Sequence, residues 1–324
     1  MTHPRILARW LLLVAATVFV MVVVGGITRL TESGLSMVRW EPVRGIIPPL
    51  NAEQWAAEFR AYSATPEGKA NAFHSLDQFK AIFFWEFLHR QIGRLIGLAM
   101  ILPLAWFAWK RMIPAGYGPR LVALAALVVL QGAIGWWMVA SGLVDRPDVS
   151  HIRLAIHLLT ALLFFGGLLW TALDLLSPTG PARLTPFAGV VLFVFAVQIL
   201  LGAFTAGLDA GFAFASWPLM GESLFPAGGW NVDLGIAGNL VDNPMVIQFV
   251  HRWWAWVAAA GLLLLARRSD TQLSIGALVI AQISLGIATL VSGVAIPIAA
   301  AHQAVAVLLL AASIVAAHRL GRQG

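Results

Sequence analysis

Long apolar runs separated by polar connections dominate the chain. Eight runs are long enough to cross roughly 30 Å of hydrocarbon as helices, near residues 10–28, 81–107, 121–142, 152–172, 186–207, 244–266, 273–292 and 298–317. The second run breaks the pattern. Between Phe79 and Gly97 it carries Glu86, His89, Arg90 and Arg94, where a spanning helix should carry no charge. Ionisable groups inside a span are costly and by default mark a functional site. Glu86 and His89 are three apart and share a helix face, and Gly93 and Gly97 continue that face. An acid and an imidazole therefore stand above a strip without side chains, where a flat molecule can lie against backbone.

Composition points the same way. The chain is 60% hydrophobic and 11% charged, against about a quarter charged in soluble domains; its mean hydropathy is +0.83. The expected fold is an all-α polytopic membrane protein with eight transmembrane helices. Cysteine is absent, which excludes disulfides, thiolate metal sites and cysteine nucleophiles. The sequence pI is near 10.7, but the basic residues are dispersed between spans, so no nucleic-acid partner is implied. The first apolar run is longer than a signal-peptide core and has no clear small-residue cleavage site, so it reads as a retained span. Arg5, Arg9, Lys110, Arg111, Arg120, Arg183, Arg267, Arg268, Arg319 and Arg322 fall on one side with only Asp174 and Asp270. The positive-inside rule makes that side, with both termini, cytoplasmic. The other side carries two long loops, 29–80 and 208–243, whose Trp40, Pro48, Pro49, Trp217, Pro218, Pro226 and Trp230 suggest compact interfacial caps.

The chain repeats itself. Glu86–Arg90 (EFLHR) answers Gln248–Arg252 (QFVHR); Gln131, Gly135, Ser141 and Gly142 recur as Gln282, Gly286, Ser292 and Gly293; His157 aligns with His302; the segment after span 1 loosely matches that after span 5. Four spans per repeat give both halves, 1–175 and 176–324, the same orientation about a pseudo-twofold along the membrane normal. Two four-helix bundles side by side are expected.

Of the eight histidines, His3, His74 and His318 read as loop or tail residues and His151 as a helix mouth. The other four, His89, His157, His251 and His302, lie on even-numbered spans a few residues in from the outer face, two per half. Such an arrangement holds a flat macrocycle from both faces, as axial imidazoles hold haem iron. Arg90 and Arg252, next to two of the ligands, are placed to pair with propionates. Other readings are interhelical hydrogen bonding by the histidines, a copper or zinc site without porphyrin, and interfacial snorkelling for the arginines. Three residues before the histidine the first half has Glu86 and the second Gln248. Only the glutamate exchanges a proton, which suits general acid/base work; a charge partner for Arg90 or Arg94 is the plainer role. A transporter with parallel repeats would carry its charges near mid-membrane, unlike these.

At these residues the chain resembles the haem A synthase family. VVGGITRLTESGLSM (23–37), WEPVRGIIPP (40–49), FKAIFFWEFLHRQIGR (79–94), RLAIHLLTA (153–161), QFVHR (248–252) and AHQ (301–303) carry the likeness, which covers nearly the whole length. Lacking cysteine, the chain resembles the branch with alphaproteobacterial and mitochondrial members. The resemblance implies oxidation of the C8 methyl of haem O to a formyl group, through a hydroxymethyl intermediate with water-derived oxygen, giving haem A for terminal oxidases. It implies that His89 and His157, with Arg90 and Arg94, serve the substrate haem and Glu86 its chemistry. His251, His302 and Arg252 would hold a haem b cofactor. The implied partners are the farnesylating haem O synthase as donor, an unidentified electron acceptor and terminal oxidase assembly, in the bacterial cell inner membrane. The alternative is a di-haem b-type cytochrome that passes electrons without modifying haem.

Overall fold

A computed structural model describes residues 3–39, 44–70, 75–144 and 147–323, leaving Trp40 and His74 outside the described residues. Among the described residues all regular structure is helical. Eight helices are long and apolar enough to span a membrane: α1 (Pro4–Leu30), α4 (Leu76–Trp109), α5 (Gly118–Val139), α6 (His151–Leu176), α7 (Pro186–Gly207), α9 (Pro244–Arg268), α10 (Gln272–Val291) and α11 (Ile296–Gln323). Three shorter helices, α2 (Ala52–Ser63), α3 (Pro66–Ala70) and α8 (Gly235–Asp242), lie in the long connections. The chain is an all-α multi-pass membrane protein.

Local chemistry sets the helix starts. Ser75 and Gln78 close a reciprocal capping box on α4. Ser150, Thr185 and Asn243 each accept a first-turn N–H, and Pro186 and Pro244 follow two of them at the first helical position. At 34 residues α4 is about 50 Å long by its rise per residue, more than hydrocarbon requires. Its extra N-terminal turns carry Phe79 and Phe83 into a cluster with Trp55, Phe59 and Tyr62 of α2. The first long connection is thereby seated on a spanning helix.

Packing follows the repeat. α1, α4, α5 and α6 close a ring in which α1 touches α4 and α6, and α5 touches the same two. α7, α9, α10 and α11 close a second ring in the same order. The rings meet through α6 against α7 and α1 against α11, contacts that exchange under the pseudo-twofold, with α6 against α11 on its axis. One buried cluster, from Leu7 to Phe165 and Leu175, cores the first ring; another, from Ala188 to Leu265 and Ala317, cores the second. Polar ties reinforce the junction at both ends. Arg29, ending α1, meets Asp209 of the other half at 2.6 Å. At the opposite end Asp174 of α6, with no exposed side-chain surface, takes Arg120 at 2.5 Å and His318 of α11 at 2.9 Å. His318 is therefore no tail residue: α11 runs on to Gln323 and buries it against Asp174 and the Trp170 ring.

Candidate functional site

Each of the four span histidines lies in the seam between consecutive spanning helices and rests on a glycine of the earlier one. A Cβ on Gly25 of α1 would stand 3.1 Å from His89 of α4, and one on Gly135 of α5 2.9 Å from His157 of α6. In the second half, Gly202 of α7 meets His251 of α9 at 3.1 Å, and Gly286 of α10 meets His302 of α11 at 2.9 Å. Real Cβ contacts are rarely this close, so only glycine lets the rings sit at this depth. His89 and His157 lie within electrostatic reach of one another, as do His251 and His302. Each ring of helices thus holds one imidazole in each of two seams.

Glutamine amides hold three of the four imidazoles. Gln131 Nε2 lies 3.1 Å from His157 Nδ1 and donates to the His157 carbonyl at 2.8 Å. Gln198 Nε2 lies 3.2 Å from His251 Nδ1 and 3.2 Å from the His251 carbonyl. Gln282 Nε2 approaches His302 Nε2 at 3.4 Å, while its backbone carbonyl accepts from His302 Nδ1 at 3.1 Å. A carbonyl only accepts, so that last contact puts the proton of His302 on Nδ1 and the lone pair on Nε2, the tautomer a metal needs, with the Gln282 amide now donating to that lone pair. Gln131, Gln198 and Gln282 each keep a buried Oε1 without a hydrogen-bond partner. Rotating the Gln131 or Gln198 amide would let that oxygen accept an Nδ1 proton, as ligation through Nε2 demands, while at His302 the Gln282 backbone carbonyl already takes that proton. Among the described residues no three His, Asp or Glu side chains converge on a common metal position. Two imidazoles per half leave the other ligands to the guest, which fits a porphyrin and disfavours a bare metal ion.

Above the histidines the halves differ in polarity. Glu86, 3% exposed, has all its acceptor capacity engaged. Oε1 takes Arg90 Nε at 3.1 Å and Nη2 at 2.6 Å; Oε2 takes the Ser36 hydroxyl at 2.7 Å and the Met37 amide at 2.8 Å. At the matching place Gln248 accepts from Arg252 at 3.0 Å and donates to the Gly211 and Phe214 carbonyls. The first loop thus presents donors to its acid, and the second presents acceptors to its amide. Each seat is built for its own side chain, so the Glu/Gln difference is no neutral swap.

The arginines expected near propionates have other partners here. Arg90 also donates to the Met37 and Arg39 carbonyls, using four of its N–H groups on Glu86 and the loop. Arg252 binds the Phe214, Ser216 and Leu219 carbonyls and lies over the Trp217 ring. Both clasp the long connections onto the spans. Arg94 bonds to Gln91. The Gly93/Gly97 strip is partly filled: Met21 covers Gly93, while the place of a Cβ on Gly97 meets nothing within 4 Å. The structure also brings in Gln198, Gly25 and Gly202, which sequence reasoning missed. Their signal is a spacing: Gln131–Gly135, Gln198–Gly202 and Gln282–Gly286 are each Q-x-x-x-G, and Met21–Gly25 is the fourth instance, with methionine leading.

A family model described as cytochrome oxidase assembly protein (COX15-CtaA) matches residues 8–314. Among curated proteins, the haem A synthase of Rhizorhabdus wittichii is 57% identical, over 99% of this chain and 95% of its own length. That of Sphingopyxis alaskensis is 54% identical over 99% and 94%, and that of Erythrobacter litoralis 48% identical over 97% of each chain.

Proposed function

The chain belongs to the cytochrome oxidase assembly family (COX15-CtaA), and from that membership we propose how its two halves divide the work of a haem A synthase. The protein is a haem-associated membrane oxidoreductase that converts haem O to haem A. Curated relatives of that name, at this identity and coverage, support this reading over a cytochrome that only passes electrons.

The first half, residues 1–175, takes the substrate. His89 and His157 receive the haem O iron, with Glu86 above them. The second half, 176–324, keeps a resident haem b between His251 and His302; when bound, that haem supplies a one-electron relay away from the substrate. Methyl plus water becomes formyl with release of four protons and four electrons, through a hydroxymethyl stage. The protons need a carboxylate at the substrate, and Glu86 stands one turn from His89 on the same helix. Its two oxygens take four donors, so accepting a proton means releasing one of them. Ser36 can do this without backbone movement, because a hydroxyl turns from donor to acceptor. Arg90 fixes the carboxylate and the loop together. A farnesylating haem O synthase supplies the substrate, and haem A passes on to terminal oxidase assembly. The charge asymmetry supports cytoplasmic termini in the bacterial inner membrane, with both haem sites near the outer face.

The observation carrying this reading is the donor-lined seat of Glu86 against the acceptor-lined seat of Gln248 above otherwise matched histidine pairs. Glu86→Gln tests it. Arg90 can still bond the amide, as Arg252 bonds Gln248, while the Met37 N–H loses its acceptor. The expected outcome is near-complete loss of haem A with haem O and haem b still bound. Normal haem A output from this variant would remove Glu86 from the chemistry.

A further inference from the structure

Three of the span histidines have an amide partner one helical turn from the supporting glycine; His89 does not. The Q-x-x-x-G spacing puts Gln131, Gln198 and Gln282 there, and Met21 takes the corresponding place four residues before Gly25. Met21 points into the same seam, its methyl 3.3 Å from where a Cβ on Gly93 would stand. A thioether donates nothing and accepts only weakly.

The ring of His89 also sits differently. Gly135, Gly202 and Gly286 all face a Cε1–Nδ1 edge: Cε1 comes nearest, at 2.9, 3.1 and 2.9 Å, then Nδ1 at 3.5, 3.8 and 3.5 Å. Gly25 instead faces the opposite edge of His89, with Nε2 at 3.1 Å and Cδ2 at 3.4 Å. The imidazole without an anchor is the one whose orientation departs from the common pattern.

We propose that His89 is the exchangeable axial ligand of the substrate haem, and that Met21 keeps it so by standing where glutamine locks the other three. This rests on reading the first half as the substrate site. A substrate haem must enter as haem O and leave as haem A at every turnover, whereas a resident haem never needs to leave. Outer-sphere partners fix the orientation and basicity of a ligating imidazole, and losing one typically costs 10- to 100-fold in metal affinity. One locked ligand, His157 on Gln131, and one unlocked ligand, His89, give a site that orients its guest and still releases it. The second half has both ligands locked at Nδ1, His251 by the Gln198 side chain and His302 by the Gln282 backbone carbonyl. Met21 is accordingly a positioning residue, acting through His89.

The test is haem release to excess apomyoglobin from protein loaded with haem O and haem B, each pigment being extracted and quantified over time. Met21→Gln should release haem O roughly 10- to 100-fold more slowly than the unmodified protein. Met21→Leu, which adds no amide, should release it at the unmodified rate, and Gln198→Met should shed haem B faster by a similar factor. Release of haem O from Met21→Gln at the unmodified rate would overturn the role of Met21 while leaving the substrate site where it is. Haem O binding that survives undiminished in both His89→Ala and His157→Ala would overturn the site assignment itself.

Discussion

The glycine behind His302 gives the sharpest handle on the resident haem site. Gly286→Ala adds one methyl whose carbon would sit 2.9 Å from Cε1, 3.5 Å from Nδ1 and 3.7 Å from Nε2 of the ring. Ordinary carbon contact begins near 3.5 Å, so the imidazole has to retreat by about half an ångström or tilt. It cannot do so freely, because Nδ1 is held by the Gln282 carbonyl at 3.1 Å on the same helix as the new methyl. Overpacking of this kind costs about 1–3 kcal/mol; at about 1.4 kcal/mol per decade, haem affinity should fall roughly 5- to 140-fold. The assay is the haem-to-protein ratio of purified protein by pyridine haemochrome, with the absorption spectrum reporting whether the iron keeps two imidazoles. Gly276→Ala is the control: it lies on the same helix, and its new methyl would meet nothing within 4 Å. Gly286→Ala should lose the resident haem and keep the substrate haem; Gly135→Ala, with identical distances to His157, should do the reverse. A Gly286→Ala protein with full resident haem and an unchanged low-spin spectrum would show that His302 is not a ligand at this position.

Two further outcomes concern the parts that hold the site. Glu67 of α3 is 7% exposed, with Oε2 unpartnered. Burial first, then repulsion from Glu86, Glu32 and Asp148, pushes its carboxyl from the ordinary 4.5 up to about 8, against the pull of Arg29. The folded chain therefore holds a proton that the unfolded chain has released between about pH 4.5 and 8, and stability must fall as pH rises through that window. Thermal unfolding from pH 5 to 9 should show this slope, and Glu67→Gln should flatten it; parallel profiles for the two proteins would contradict the burial argument. Asp174→Asn removes the fully buried charge shared by Arg120 and His318. Because Arg120 is partly solvated, the loss should sit near the low end for a broken buried pair, about 3 kcal/mol. It should be seen as a lower unfolding midpoint with both haems retained below it, and an unchanged midpoint would deny the network any part in joining the halves.

Hydropathy made the eight spans legible because lipid imposes a simple demand on residues 186–207, where the predicted and observed helices coincide. It failed where protein replaces lipid as the surroundings. α4 begins at Leu76 because Phe79 and Phe83 pack under α2, and α11 continues to Gln323 because His318 finds Asp174. A composition scan sees His318, Arg319 and Arg322 as the end of an apolar run; the chain sees a buried carboxylate. The histidine pairs were readable because identical residues recur in the same order in the two halves, with shorter connections in the second. The roles of Arg90 and Arg252 were not, because a guanidinium beside a ligand suggests carboxylate binding equally well whether the carboxylate belongs to a guest or to the protein. The folded loops show the partners the protein itself offers them, carbonyls at Met37 and Arg39 and at Phe214 and Ser216.

The deeper unit of the molecule is smaller than the half. Each pair of consecutive spans, α1 with α4, α5 with α6, α7 with α9 and α10 with α11, forms one seam that presents one glycine-backed imidazole. On the proposed function one seam would ligate one face of an iron and two seams would close a ring of helices around it, so four would serve two haems. Within that plan three seams carry glutamine and one carries Met21, and one histidine is overlooked by a donor-lined acid while its counterpart has an amide. Both departures fall on the α1/α4 seam. The glycine that sets ligand depth is kept there, because any guest needs it. The lock and the acid/amide choice are changed there, because these decide whether the guest can leave and whether its protons have somewhere to go. A seam that only stored a haem would have no physical reason to differ at once from the other three in its lock and from its counterpart in its acid.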